Sequence, residues 1–233
     1  MTGFGYNVHG FGAGGTLVFN ITISSSTNDF NLESYLSSNT NYNGTDRVTI
    51  NVTIDADVVV GSTSHTTPAF QTGTIGFATT GSILNITNNG TIQGAGGRGG
   101  TLASNNGAST NADGKLDRNG GDGGTALTTT MTTIIDNTSG SLLGGGGGGG
   151  AGAVADTVGA SGGGGGAGTV GGSGGSHASG KSGGNGGGIG SAGANARGSG
   201  AFAVGSGGSA GKYLVGNSNT TFTANGTRTG DVS

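Results

Sequence analysis

Ile135-Asp136-Asn137-Thr138-Ser139-Gly140-Ser141-Leu142-Leu143, continued without a break by Gly144 to Gly150, decides how the rest of the chain is read. Its first part is an apolar run, a turn built on Asn and Gly, and a second apolar run, which reads as strand, turn, strand. Its second part is glycine alone. The strand–turn–strand part recurs. Asn85-Ile86-Thr87-Asn88-Asn89-Gly90-Thr91-Ile92-Gln93-Gly94 aligns without gaps to Thr221-Phe222-Thr223-Ala224-Asn225-Gly226-Thr227-Arg228-Thr229-Gly230, and the 135–144 copy matches with one inserted residue. Such a unit is too short to bury a face alone, so the copies are expected to stack on one another or on a neighbouring sheet.

From Gly144 to Gly211 about half of the residues are glycine, in runs separated by short interruptions. A glycine tract by default is a flexible linker, because glycine loses the most backbone entropy on ordering. The ordered alternative is a bundle of polyproline-II-like strands, a left-handed threefold helix without internal hydrogen bonds. Each N–H and C=O must then pair with a neighbouring strand, and only glycine permits that approach. The interruptions Val154 to Val158, Ser176 to Ser179 and Ala194 to Arg197 then serve as turns at the ends of the strands.

Upstream, Thr16 to Ile23 and Val48 to Ile54 alternate apolar with polar side chains, the period of a half-buried strand. Val58 to Val60 are expected to extend the second run. Between the two, Thr27 or Asn28 can cap a short helix whose apolar face is Phe30, Tyr35 and Leu36, ended by Ser37-Ser38-Asn39. The expected fold class is mainly β. A small β-rich domain with one short helix occupies 1–80, and β-turn-β repeats occupy 81–143 with a polar loop at 101–122. A polyglycine-II-like bundle fills 144–211, and closing strands fill 212–233.

Composition excludes several classes. Sixty glycines against a single proline rule out a collagen-type repeat. The net charge of −3 and the scattered basic residues offer no stripe for nucleic acid, so no DNA or RNA partner is expected. With no cysteine there is neither disulfide nor thiolate chemistry, and the usual zinc sites are absent. No apolar stretch nears 18 residues and none reads as a secretion signal, so no membrane insertion is expected.

Motifs with catalytic associations dissolve in context. Gly175-Ser176-His177-Ala178-Ser179-Gly180-Lys181-Ser182 fits the P-loop pattern, but a P-loop needs a buried strand before it and a helix after it. Here both flanks are glycine and serine. Asp113, Asp117 and Asp122 could offer oxygen ligands to a hard cation, against the plainer reading of a solvated acidic loop. His9, His65 and His177 have no ligand spacing to one another. No pair of carboxylates and no serine stands in a catalytic context, so the chain is expected to be neither an enzyme nor a holder of cofactor or metal. The Asn-x-Ser/Thr sequences at Asn20, Asn43, Asn51, Asn85, Asn89, Asn137, Asn219 and Asn225 read as strand and turn chemistry.

Three segments carry a resemblance: Asn88-Asn89-Gly90-Thr91-Ile92-Gln93-Gly94-Ala95-Gly96-Gly97, the 135–150 segment, and Tyr213-Leu214-Val215-Gly216-Asn217-Ser218-Asn219 with the closing Gly226-Thr227-Arg228. Together they resemble the glycine-rich regions of phage tail-fibre and tail-tip proteins, best over 81–233. Similarity to the distal adhesins of T-even-like fibres implies a polyglycine-II bundle whose connecting loops touch the bacterial surface. The N-terminal part departs from those adhesins. The implied function is a non-enzymatic virion component, a receptor-binding adhesin assembled in the host cytoplasm. Its implied partners are other virion tail proteins and a bacterial surface receptor, with the oligomeric state open and a homotrimer among the options. A purely structural virion protein is the alternative. An ice-binding protein is disfavoured by pure glycine runs and absent cysteine. Side chains with recognition chemistry concentrate in the connectors, which makes Val154, Asp156, Val158, His177, Lys181, Asn195, Arg197 and Phe202 the candidate contact residues.

Overall fold

The computed structural model describes residues 4–9, 16–42, 46–73, 81–101, 118–152, 163–173, 183–197 and 204–233, the first of these as backbone. The chain winds through three sheets in turn. The first coil comprises β2 (Leu17–Ile23), β3 (Thr27–Asn28) and β4 (Phe30–Asn31), with β1 (Phe4–His9) antiparallel beside β2. After the helix α1 (Leu32–Asn39) the second coil comprises β5 (Val48–Ile54), β6 (Val59–Gly61) and β7 (Phe70–Gln71). The third has β8 (Ile83–Asn88), β9 (Thr91–Gln93) and β10 (Leu127–Thr128). The fourth has β11 (Thr133–Asp136), β12 (Ser141–Leu143) and β13 (Lys212–Val215). The fifth has β14 (Thr220–Ala224), β15 (Thr227–Thr229) and β16 (Asp231–Val232).

Corresponding strands of successive coils pair in parallel, giving one sheet β1-β2-β5-β8-β11-β14 and two more, β3-β6-β9-β12-β15 and β4-β7-β10-β13-β16. This is a three-sided parallel solenoid. The compositional boundary at 80/81 lies inside it, because β5 pairs with β8 in register, Val52 opposite Ile86. The two strands flanking each Asn/Gly turn therefore lie in different sheets and pair with the preceding and following coils. Thr91, Ser141 and Thr227 are register partners, as are Ile86, Ile135 and Phe222.

Alternation explains the core. Every second residue of β5 is buried (Val48, Ile50, Val52 and Ile54), and in-register stacking extends each into a column. Ile21, Val52, Ile86 and Ile135 form one column, and Phe30, Phe70, Leu127 and Leu214 another. Burying each such side chain contributes about 1.5–3 kcal/mol. The third column runs Val60, Ile92, Leu142 and ends on Arg228 at the last coil. There the guanidinium lies 4.5 Å from the Phe222 ring centroid and 5.7 Å from that of Tyr213, a cation over two rings closing an apolar stack. Inside the turns, Asn88 Nδ2 donates to Asn137 Oδ1 at 2.7 Å, both residues being buried. Gly226 packs so closely on this ladder that a Cβ would strike the Asn137 carbonyl oxygen.

Three local expectations are corrected. The helix begins one turn later than expected, capped by Asn31, whose side chain accepts from Ser34 N at 3.1 Å. Thr27, Asn28 and Phe30 are taken instead by parallel bridges to Val60, Gly61 and Phe70, and Ser37 to Asn39 lie within the helix. Val58 to Val60 do not prolong β5. Asp57, at φ 63°, and the bond from Val58 N to Asp55 O at 3.3 Å turn the chain into the next sheet. Asp55 and Asp57 thus sit in that turn.

The glycine-rich segments enter at one corner of the solenoid, between β9 and β10 and again between β12 and β13. Their backbone bonds advance in steps of three. Gly94, Gly97 and Gly100 donate to Leu143, Gly146 and Gly149 at 2.9, 2.8 and 2.8 Å, so 94–100 and 144–150 run parallel. Gly145, Gly148 and Ala151 donate to Gly124, Gly121 and Arg118 at 2.9, 2.8 and 2.7 Å, an antiparallel relation. Gly146 and Gly149 donate to Ala167 and Gly164, while Gly147 and Gly150 donate to Ser191 and Ala194. Successive amides of one strand thus serve three different neighbours. Residues 94–101 and 118–125 are bonded into the same lattice as the segments between 144 and 211.

A prediction attaches to the β11–β12 turn. Asp136 Oδ1 accepts from Thr138 Oγ1 at 2.7 Å and from Thr138 N at 3.0 Å, and these bonds hold its carboxyl below the usual range, the side-chain bond most. Since the folded pKa is the lower one, the stabilisation is complete above the unfolded pKa and is lost as pH falls through the folded one. Thr138→Val should return the Asp136 titration midpoint upward. Carboxyl-carbon chemical shifts followed through an acid titration would read it.

Candidate functional site

Strand directions in the lattice place its ends. From the solenoid, 94–101, 144–152, 170–173 and 191–197 run outward; 118–125, 163–167, 183–188 and 204–211 run back. Two turns lie at the inner level. Thr169 Oγ1 donates to Gln93 O at 2.7 Å, and Gly190 N, at φ 62°, donates to Gly144 O at 2.8 Å. At the outer level, Gly163 N donates to Gly100 O, Ala151 N to Arg118 O, Gly205 N to Ala151 O, Gly184 N to Gly150 O and Ala196 N to Gly205 O, all within 3.0 Å. The described residues that bracket 102–117, 153–162, 174–182 and 198–203 therefore stand together at one end of the lattice.

Six of the eight sequence candidates, Val154, Asp156, Val158, His177, Lys181 and Phe202, lie outside the described residues, within those bracketed segments. Asn195 and Arg197 are described and exposed, at the outer end of the last outward strand. The expectation that Ala194 to Arg197 form a turn is corrected. Ala194 N donates to Asn185 O at 2.8 Å, Ala196 is buried, and Asn195 Oδ1 accepts from Gly207 N at 2.9 Å. Asn195 is an edge-satisfying residue. Asn119 Oδ1 and Asp122 Oδ1 do the same for Ser206 N and Ser209 N at 3.0 and 2.7 Å. These acceptors satisfy amides at a lattice edge that no described neighbouring strand reaches.

Of Asp113, Asp117 and Asp122, only Asp122 is described, its Oδ1 accepting from Ser209 N, and Asp113 and Asp117 lie outside the described residues. Among the described residues no group of three His, Asp or Glu could hold a metal ion. The P-loop-like segment 175–182 is outside them as well. Of the Asn-x-Ser/Thr positions, Asn20, Asn51 and Asn85 form a side-chain ladder with Nδ2-to-Oδ1 bonds of 2.8 Å across three coils. Among titratable groups of the solenoid, burial, with a contribution from the Asp46 carboxylate, raises the Tyr42 phenol above its ordinary value. Tyr42 packs edge-on to Phe19, as a structural residue would. Sequence reasoning read 101–122 as a polar loop and left it out of the contact set. The lattice bonds of Gly100 and Arg118 place the residues bracketing 102–117 at the same end as those bracketing the other three segments.

A family model described as phage tail fibre adhesin Gp38 matches residues 18–233. The match reaches through the β-rich part that sequence reading had set apart from the T-even-like adhesins. Among solved structures the chain is similar to the gp37–gp38 adhesin tip complex of the bacteriophage S16 long tail fiber. That likeness has a TM-score of 0.57 at 21% identity, over 92% of this chain and 82% of that one, and it shows a shared fold. No curated protein matches the chain. A match over nearly the whole sequence settles the family: the chain belongs to the phage tail fibre adhesins of the Gp38 type.

Proposed function

We propose that this tail adhesin is the receptor-binding tip of a tail fibre, with the four segments 102–117, 153–162, 174–182 and 198–203 contacting the host surface. One observation carries the reading: the residues bracketing all four stand at a single end of the lattice, away from the solenoid. A rigid backbone lattice leaves recognition to its connectors, where most of the candidate side chains are found. The three-residue hydrogen-bond step and the three directions of donation favour a polyglycine-II-type bundle, and the in-register columns favour stacked copies of one strand–turn–strand unit. The solenoid is then the part that joins the fibre. In the S16 neighbour the two named components are gp37 and gp38, which fits a partner among the other tail proteins.

The test replaces 153–162, 174–182 and 198–203 by Gly/Ser stretches of equal length, leaving 194–197 intact because it belongs to the lattice. Binding of labelled protein to host cells should fall by more than about tenfold, with the melting temperature kept within about 2 °C. Undiminished cell binding by a variant that melts normally would move the contact to 102–117 or to the solenoid.

A further inference from the structure

Asn-Gly pairs recur along the chain, and within the described residues they stand at 89–90, 119–120, 185–186 and 225–226. Such a pair can react with itself, because glycine, lacking a Cβ, lets its backbone nitrogen approach the neighbouring carboxamide. We infer that Asn185 and Asn225 are sites of spontaneous deamidation, that Asn89 and Asn119 are shielded from it, and that the product at Asn185 unlocks the glycine lattice.

The reaction needs only water. Gly186 N attacks Asn185 Cγ, forming an N–C bond while its proton passes to solvent, and the Cγ–Nδ2 bond breaks with release of ammonia. Water then opens the resulting succinimide at either carbonyl, leaving aspartate or isoaspartate. Nothing is oxidised or reduced.

The bonding of the attacking amide divides the pairs. Gly120 N donates to Ser206 O at 2.9 Å and Asn119 Oδ1 accepts from Ser206 N at 3.0 Å, so one neighbour holds both nucleophile and electrophile. Gly90 is buried, and its N donates to Asn88 Oδ1 at 3.2 Å. Among the described residues, Gly186 N and Gly226 N meet no acceptor, and the carboxamides of Asn185 and Asn225 make no hydrogen bond. Both asparagines are exposed. In the extended lattice backbone the peptide after the asparagine must turn before attack, and the cost of that local opening follows the bonds it breaks. Turning 185–186 breaks the bond from Ala194 N to Asn185 O, at 2.8 Å, whereas turning 119–120 breaks both bonds to Ser206.

The consequence differs between the two open pairs. Asn185 stands between two bonds to the central strand, Gly184 N to Gly150 O at 2.8 Å and Gly187 N to Gly147 O at 2.7 Å. Isoaspartate routes the main chain through the former side-chain carbon and so inserts a methylene between those bonds. The insertion is a fraction of the residue rise of about 3.1 Å, so no shift of register restores both. Asn225 lies in the turn between β14 and β15, outside the lattice.

The test ages the full-length protein at mildly alkaline pH and reads deamidation by mass spectrometry of tryptic peptides. Cleavage after lysine and arginine leaves Asn89 in 48–98, Asn119 in 119–181, Asn185 in 182–197 and Asn225 in 213–228, so each pair is read separately. Native protein should deamidate at Asn185 and Asn225 at least about tenfold faster than at Asn89 and Asn119. In guanidinium, with the fold removed, the four rates should converge. Asn119 reacting as fast as Asn185 in the native protein would overturn the inference, and so would the native ranking persisting in guanidinium. Amide exchange at Gly187 should quicken as isoaspartate accumulates in 182–197. It should stay constant in equally aged Asn185→Gln, whose longer side chain closes a larger ring far more slowly. Exchange at Gly187 indifferent to the isoaspartate content would overturn the unlocking of the lattice.

Discussion

Gly147→Val is expected to unfold the glycine lattice, whereas Gly188→Ala should leave it intact or slightly stabilised. At Gly147 a Cβ would be driven into the Gly208 carbonyl oxygen and would stand 2.6 Å from that of Ser209. Both obstacles are backbone already committed to the lattice, since Gly208 N donates to Gly148 O at 2.7 Å and Gly147 N to Ser191 O at 2.9 Å. No rotamer change can relieve the clash, so the cost should reach about 3 kcal/mol or more. Gly164 is a milder site, its nearest obstacle being Gly186 N at 2.8 Å. At Gly188 a Cβ meets nothing within 4 Å and φ is not in the left-handed region, so alanine mainly removes unfolded-state freedom, worth about 0.4–1 kcal/mol in its favour. Thermal denaturation of Gly147→Val, Gly164→Val and Gly188→Ala, with amide exchange across 144–211, would rank them. Equal stability of Gly147→Val and the parent protein would refute the close-packed lattice.

Leu142→Ala should be the most damaging single truncation near the end of the solenoid. Leu142 is fully buried in β12, with Ile92 in the coil before it and Arg228 in the coil after it. The stack is covalently discontinuous but sterically continuous, so a void at Leu142 also leaves the terminal cation–π arrangement without a floor. The expected loss is about 2–5 kcal/mol. Arg228→Ala, which removes a cation over two rings at the exposed end, should cost only about 0.5–1 kcal/mol. Urea titration read by circular dichroism would separate the two; similar losses for both would mean that the last coil, rather than the column, governs stability.

What could be read from sequence follows the length of the periodic signal. Strands 17–23 and 48–54 were legible because seven alternating residues leave little ambiguity, and the Asn/Gly turns were legible from Gly90, Gly140 and Gly226. The three-sided winding was not. It rests on strands of two or three residues, such as Thr27–Asn28 and Phe70–Gln71, which carry no detectable period of their own and exist because a neighbouring coil pairs with them. For the same reason Asn31 displaced Thr27 and Asn28 as the helix cap: tertiary pairing claimed the earlier residues first. The connectors were named from the interruptions of the glycine runs, and six of the eight candidate residues in them lie outside the described residues. That the described residues bracketing them share one end was not legible, because strand direction in the lattice depends on which amide meets which carbonyl.

The three-residue step of the lattice bonds constrains how such a chain can change its length. Removing one glycine from 144–151 would turn every later amide of that strand by a third of a revolution, away from its own acceptor and toward one that already has a donor. Removing three restores every direction and shortens the strand by one level. The bonds between the described lattice residues set no such arithmetic for the number of residues that link the strands at the outer end. Length changes one residue at a time are therefore expected in the linking segments, and only in triplets in the glycine strands.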